Sequence, residues 1–335
     1  DAIGEWDTIT IWDAEYNDSG NAVYKKLWSQ RYPHSIGLYY SAMTGRIGLR
    51  PMDEEYILMG MAGWGRGIHA QTIHNAFVKD MQTGKFKQNL HIGVDNDFLK
   101  DAKDEDIAAS TQRVVEKILD FIMNKARQLG KSRNLVYAGG VALNCLYNRR
   151  LGSHFDNIWI MPNPGDCGSS LGAAALIHKK QLNWIDPYLG TDIPGEYPVA
   201  ELVNALELNK IVGVANGRAE FGPRALGNRS LLADPEGTEI KDKVNEIKRR
   251  QKFRPFAPVI LEEFVNEYFD MPKNLPTSPY MQVVAPCKFP DKFPAIVHVD
   301  GTSRVQTVSK DCRSGIRQLL DCLLYTSPSP RDRIS

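Results

Sequence analysis

Apolar residues recur along this chain with two different periods and switch between them several times. The segment up to Trp64 mixes short β-like runs, Thr8–Ile11 and Ile36–Tyr40, with a compact helical stretch over Glu54–Ala62 that stops at Gly63. From Lys79 to Lys103 the periodicity disappears and polar residues dominate, which predicts an insertion or surface excursion. The clearest helix comes next. Ile107, Val114, Val115, Ile118, Leu119, Ile122, Ala126 and Leu129 recur at three- and four-residue spacing, with acidic residues ahead of them and Gly130 behind as a C-cap.

A short apolar strand, Leu135–Ala138, then runs into Gly139-Gly140, followed by a helix expected through Ala142–Leu151. The same order repeats with strand Ile158–Met161, the turn Pro162–Asp166 and a helix over Ser169–Lys180. Strand, glycine turn and helix occurring twice predict an α/β fold whose sheet offers its carboxyl edge to a ligand. Pro187, Gly190, Pro194 and Gly195 punctuate the stretch from Leu182 to Tyr197, where a domain boundary is expected. Beyond it, a helix near Val199–Leu208, strand Ile211–Ala215, polar loop Asn216–Arg229, charged helix Glu239–Arg250 and strands around Tyr280–Ala285 and Arg304–Val308 have an α+β character. The final Ser/Pro/Arg-rich stretch, Tyr325–Arg333, shows no core pattern.

Length and charge sharpen this outline. A chain of 335 residues is about twice the common domain size, in keeping with two domains. With 41 Lys and Arg against 40 Asp and Glu, the net charge of +1 supplies no global field for nucleic acid or an acidic membrane, so any basic site is local. Five dispersed cysteines form neither a disulfide framework nor a paired zinc spacing, which fits a reducing, cytoplasmic setting. No run of apolar residues reaches membrane-spanning length. The chain begins at Asp1, almost at an apparent strand, and is expected to start inside a domain.

Three constellations could carry chemistry. In Gly139–Asn144, two glycines let backbone approach a phosphate or sugar and the following helix start offers free N–H groups; a simple tight turn is the alternative. In Gly165–Ala175, Asp166 could ligate a metal, hold a nucleotide or merely cap its helix. In Gly217–Ser230, Arg218, Arg224 and Arg229 are interleaved with glycines and Pro223, and Glu220 is positioned to brace one of them. Arginine forks on a rigid loop suit phosphate or carboxylate. Arg249, Lys252 and Arg254, leading into Pro255–Pro258, add a second basic patch, and Arg304 a further cation near a strand start; together they favour a polyphosphate ligand over a salt-bridged structural loop. The seven histidines show no metal-binding spacing, Cys145 and Cys167 read as small buried fillers, and Trp64 and Trp159 as core.

Together these motifs resemble the carbamoyltransferase family that includes nodulation and aminoglycoside or cephalosporin O-carbamoyltransferases. Gly139–Asn144 and Gly165–Gly172 look like its actin/sugar-kinase-like (Kae1-like) ATPase half, expected over 1–185. Gly217–Ser230, Phe253–Pro258 and His298–Val308 look like its α+β YrdC-like half, expected over 196–321. The resemblance implies that carbamoyl phosphate and ATP form carbamoyladenylate, and that the carbamoyl group then passes to a hydroxyl of a sugar, antibiotic or Nod-factor-like molecule. It implies that Arg218, Arg224, Arg229, Arg254 and Arg304 grip phosphates and that Gly139, Gly140, Asn144, Gly168 and Glu220 serve the nucleotide. It also implies that Asp166 is one ligand of a divalent metal, with iron at the transfer site and magnesium on ATP.

Two departures accompany the resemblance. The family's paired histidines belong to a segment upstream of Asp1, and a segment resembling Asn-Thr-Ser-Phe-Asn that should complete the second half is absent. The stretch from about Cys322 to Ser335 instead resembles translated adapter sequence and is set aside from fold reasoning. The 335 residues are therefore expected to be a fragment that does not transfer carbamoyl by itself. Three rival readings remain: a tRNA threonylcarbamoylation protein, which the absence of a basic stripe disfavours; a sugar kinase, which would release ADP; and a non-catalytic nucleotide-binding remnant.

Overall fold

The computed structural model describes residues 2–326, a mixed α/β chain that divides into two compact units. The first comprises Asp1–Ile160 with Pro164–Asn183, the second Met161–Asn163 with Trp184–Ser335.

In the first unit, β1 (Asp7–Tyr16) and β2 (Ala22–Arg31) form an antiparallel hairpin. Three helices follow, α1 (Ile36–Arg46), α2 (Glu55–Met61) and α3 (Ala70–Phe77), then a small antiparallel pair, β3 (Val78–Asp80) and β4 (Lys85–Phe86). Helix α4 (Asp104–Leu129) is the spine of the unit. Its apolar stripe, Ile107, Val114, Val115, Ile118, Leu119 and Ile122, is buried, and the helix packs against α1, α2 and α3. Strands β5 (Asn134–Tyr137) and β6 (Asn157–Ile160) run parallel, with α5 (Cys145–Asn148) in their connection and α6 (Ser169–His178) after them.

The structure departs from several sequence expectations for physical reasons. Ile36–Tyr40 is the start of α1 rather than a strand: Ser35 Oγ accepts the Leu38 N–H at 3.2 Å as an N-cap, and buried Ile36, Tyr39, Tyr40, Met43 and Ile47 recur at helical spacing. A five-residue window was too short to show that period. The expected helix over Ala142–Leu151 is broken into a 3₁₀ turn, α5 and a second 3₁₀ turn, because Asn144 leaves helical geometry and caps α5 through Tyr147 N–H at 3.0 Å. The polar stretch from Lys79 is pinned rather than free, with Phe86 and Leu90 buried and Phe86 stacked on Tyr39 at 5.2 Å. Trp64 and Trp159 are 49% and 40% exposed, not core: Trp159 alternates with buried Ile160 and so stands on the opposite face of β6. Cys145 is buried as expected, whereas Cys167 is exposed.

The second unit contains α7 (Val199–Asn209) and three small sheets. β7 (Asp192–Ile193) pairs with β9 (Gly217–Arg218), and β8 (Ile211–Ala215) with β10 (Arg229–Ala233), both antiparallel. After α8 (Thr238–Ile247), a three-stranded sheet forms in the order β11 (Val259–Leu261), β13 (Thr302–Val308), β12 (Val283–Pro286), with α9 (Val265–Tyr268) packed nearby and α10 (Ile316–Thr326) at the end. Central β13 serves two cores through its alternating faces. Val308 joins Leu202, Val203, Val214, Ile316 and Leu319, while Val305 joins Val265, Phe269, Ala285 and Ile296.

Cys322 and Leu323, within the stretch expected to be adapter-like, lie in α10 and pack against the core of the second unit. The rest of that expected tail, 327–335, lies outside the described residues. Among the described residues, no helix is long and apolar enough to cross a membrane.

Ile118, fully buried in the α4 stripe, is expected to carry much of the first unit's packing. Ile118→Ala should cost about 2–5 kcal/mol in urea denaturation followed on that unit; a loss below about 1 kcal/mol would contradict the central place given to α4.

Candidate functional site

In the first unit, β5 and β6 end side by side at the two glycine turns, and Gly139 N–H donates to the Pro164 carbonyl at 2.7 Å. Gly139 has φ +103°, which favours glycine, and a Cβ built on Gly140 or Gly165 would meet nothing within 4 Å. The paired turns therefore present open backbone. The helical turns after Gly139 are only four residues each, so they supply no long helix dipole, contrary to the expectation for Ala142.

Asn144 does not face that opening. It is buried in a reciprocal amide pair with Gln112 at 3.0 and 3.1 Å, while Tyr40 OH donates to Gln112 and Gln112 donates to Glu116, whose carboxyl is pushed up by burial. Its oxygen also caps α5, so the side chain is committed to structure. Gly168 is buried at the start of α6. Asp166 is exposed, and the N-cap of α6 is Gly168 without a side-chain bond, so Asp166 does not cap that helix. Among the described residues, no three His, Cys, Asp or Glu side chains converge on a metal position. Asp166 is therefore not part of such a group among the described residues.

The arginine loop of the second unit is organised by one carboxylate. Glu220 Oε1 accepts the backbone N–H groups of Leu226, Asn228 and Arg229 at 2.8, 2.9 and 3.2 Å. It was expected to brace an arginine; it braces the backbone instead. Arg229 donates to four carbonyls, those of Asn216, Asn228, Thr191 and Gly217, at 2.8–3.0 Å. Arg218 donates to the carbonyls of Leu189 and Gly190 at 2.9 and 3.2 Å. Both guanidinium groups staple the loop to its neighbours. Gly227, at φ +121°, cannot carry a side chain, since a Cβ would lie 2.7 Å from Ile316 Cβ.

The remaining predicted arginines meet elsewhere. Arg224, Arg254 and Arg304 line one cavity of about 550 Å³, joined there by Lys248 and Arg250. Phe256, Leu231 and Val259 contribute apolar wall, and Arg250 lies over the Phe256 ring at 4.9 Å. The Asp234 carboxylate also lines the cavity but is engaged by Lys210 at 3.0 Å. Arg304 Nε is buried and has no hydrogen-bond partner among the described residues. A buried donor without an acceptor is costly, and an anion in the cavity would satisfy it.

Two family models divide the chain between them: Carbamoyltransferase N-terminus matches residues 1–175 and Carbamoyltransferase C-terminus matches 203–327. The chain belongs to the carbamoyltransferase family. Nodulation protein NolO of Bradyrhizobium diazoefficiens is 32% identical over 318 residues, covering 83% of this chain and 58% of that protein. Nodulation protein U of Sinorhizobium fredii is 38% identical over 238 residues, covering 64% and 42% respectively. An uncharacterized Synechocystis protein is 32% identical, covering 96% of this chain and 63% of its own length. The chain thus spans about half the length of the curated relatives it matches.

In this carbamoyltransferase-family chain, the N-terminal match contains both glycine turns, and the C-terminal match contains the arginine loop and the cavity. Sequence reasoning selected Arg249 and Lys252, yet their neighbours Lys248 and Arg250 line the cavity. The missed signal was the end of α8 at Ile247: beyond a helix, alternate residues such as 248 and 250 can share a side.

The two classes of arginine should respond differently to substitution. Arg229→Gln, which breaks up four carbonyl contacts, should lower the unfolding free energy by about 2 kcal/mol. Arg304→Gln should leave stability unchanged within about 0.5 kcal/mol or raise it, because it removes a buried N–H donor without a partner. Denaturant melts of both variants check the contrast, and equal losses would contradict it.

Proposed function

We propose that the cationic cavity holds ATP and carbamoyl phosphate and forms carbamoyladenylate, and that the carbamoyl group then passes at the first unit to a hydroxyl of a small molecule. In this proposal the first unit is a Kae1-like ATPase fold and the second is YrdC-like. Family membership supports carbamoyl transfer in general. The observation that carries the phosphate chemistry is the unpartnered buried Arg304 Nε in a cavity shared with Arg224, Lys248, Arg250 and Arg254.

The chemistry follows from charge. Loss of phosphate from carbamoyl phosphate to water leaves carbamate; its oxygen attacks the α-phosphorus of ATP, the bond to the β-phosphate oxygen breaks, and pyrophosphate departs. Negative charge grows on the leaving pyrophosphate, where fixed guanidinium groups stabilise it more than they stabilise the ground state. Attack by the acceptor hydroxyl on the carbamoyl carbon then releases AMP and a proton. Open backbone at Gly140 and Gly165 leaves room for the adenylate in this second step. Magnesium would arrive on the ATP phosphates. Substrates of this kind place the reaction in the cytoplasm.

The test is pyrophosphate release from ATP by this chain, which should require carbamoyl phosphate and fall at least about 100-fold in Arg304→Gln. Release of ADP in place of pyrophosphate, or release indifferent to carbamoyl phosphate, would overturn the proposal. Lys248 provides a second test. Desolvation against the cavity wall, and then the charges of Arg250, Arg254 and Arg304, hold its ammonium below its ordinary pKa. A bound polyanion favours the charged ammonium, so the complex holds more proton than the free protein. Pyrophosphate affinity should therefore fall as pH rises through the lowered Lys248 pKa, and Lys248→Met should flatten that dependence in calorimetric titrations.

A further inference from the structure

Gln306 occupies a place in the second unit that no charge argument points to. It is 4% exposed, stands on β13 two residues after Arg304, and lines the same cavity. Residues two apart on a strand share a face and lie roughly 7 Å apart. Gln306 also touches the other two arginine-bearing segments. Its side-chain Nε2 donates to the Leu226 carbonyl at 3.1 Å, two residues beyond Arg224. Its backbone N–H donates to the Pro258 carbonyl at 2.9 Å, in the segment that carries Arg254. One residue thus joins the three segments that present Arg224, Arg254 and Arg304.

The bond to Leu226 is a built contact. Tyr188 OH donates to the same carbonyl at 3.0 Å from a buried position, so that oxygen accepts two side-chain donors. Glu220 meanwhile holds the N–H of the same residue, and Leu226 is 2% exposed. Both backbone polar groups of Leu226 are therefore fixed by side chains, which leaves the loop little freedom where it delivers Arg224. We propose that Gln306 is a positioning residue: its amide sets the placement of Arg224 relative to Arg304, and through it the spacing of cations that a polyphosphate meets. This deepens the proposed function and rests on it.

The test is a double-mutant cycle on inorganic pyrophosphate binding, measured by calorimetry on the 335-residue chain. Gln306→Met keeps the side-chain length and the backbone bond to Pro258 but removes the donor to Leu226. It should weaken pyrophosphate binding about fivefold to tenfold, with the thermal transition of the second unit retained. Because the amide acts through Arg224, the same change should matter less than twofold in an Arg224→Ala background. In Arg254→Ala, whose segment is tied by the Gln306 backbone, the full loss should persist. Tyr188→Phe, which removes the other donor to the carbonyl with little change of volume, should give a smaller loss that also vanishes in Arg224→Ala and serves if Gln306→Met fails to fold. An equal loss in the Arg224→Ala background, or coupling to Arg254 instead, overturns the positioning role while leaving the anion site intact. Unchanged binding in Arg224→Ala alone overturns the anion-site reading, and the role of Gln306 falls with it.

Discussion

Five cationic side chains, Arg224, Lys248, Arg250, Arg254 and Arg304, line one cavity, and holding the segments that carry them is the constraint the second unit has to meet. Burial, and then the charges of Arg250, Arg254 and Arg304, draw the Lys248 pKa down. The segments that carry them are held largely by hydrogen bonds in which neutral carbonyls, amides and hydroxyls take part. Leu226 is fixed at both polar groups, Gly227 O accepts from Tyr197 at 2.8 Å, and Asn228 is bound on both sides, donating to Arg218 O and accepting from Ser314. Glu220 contributes a carboxylate directed at backbone N–H groups. A scaffold built this way orders the segments that carry the arginines.

Chemically identical side chains consequently do two different kinds of work. Arg229 and Arg218 turn their forks toward main-chain carbonyls, where five donors in a plane can join several strands at once. Arg224, Arg254 and Arg304 line the cavity. The difference lies in which carbonyls the neighbouring chain happens to bring within reach, not in local composition.

The first unit follows a contrasting rule. Its glycine turns carry no charge cluster and owe their character to open backbone at the ends of two parallel strands, a position that sheet topology sets aside for ligands. Behind them a buried polar chain through Tyr40, Gln112, Asn144 and Glu116 anchors α5 to the α4 spine. Asn144 thus supports the turn from within.

Much of the fold was legible in the amino-acid order because its signals are local. The α4 stripe, the two strand-to-glycine turns and β8 follow from side-chain period and from where glycine interrupts it, and those depend on neighbours a few residues away. The density of arginine between 218 and 229 likewise marked the region of the cavity. What only the tertiary structure decided was the assignment of individual polar groups: Arg229 to carbonyls, Glu220 to N–H groups, Asn144 to Gln112, and Lys248 and Arg250 to the cavity. Each depends on a partner brought close by chain packing, often dozens of residues away, as Gln306 and Leu226 are. A hydrogen bond is settled by tenths of an ångström and by direction, and such distances exist only once the chain has packed.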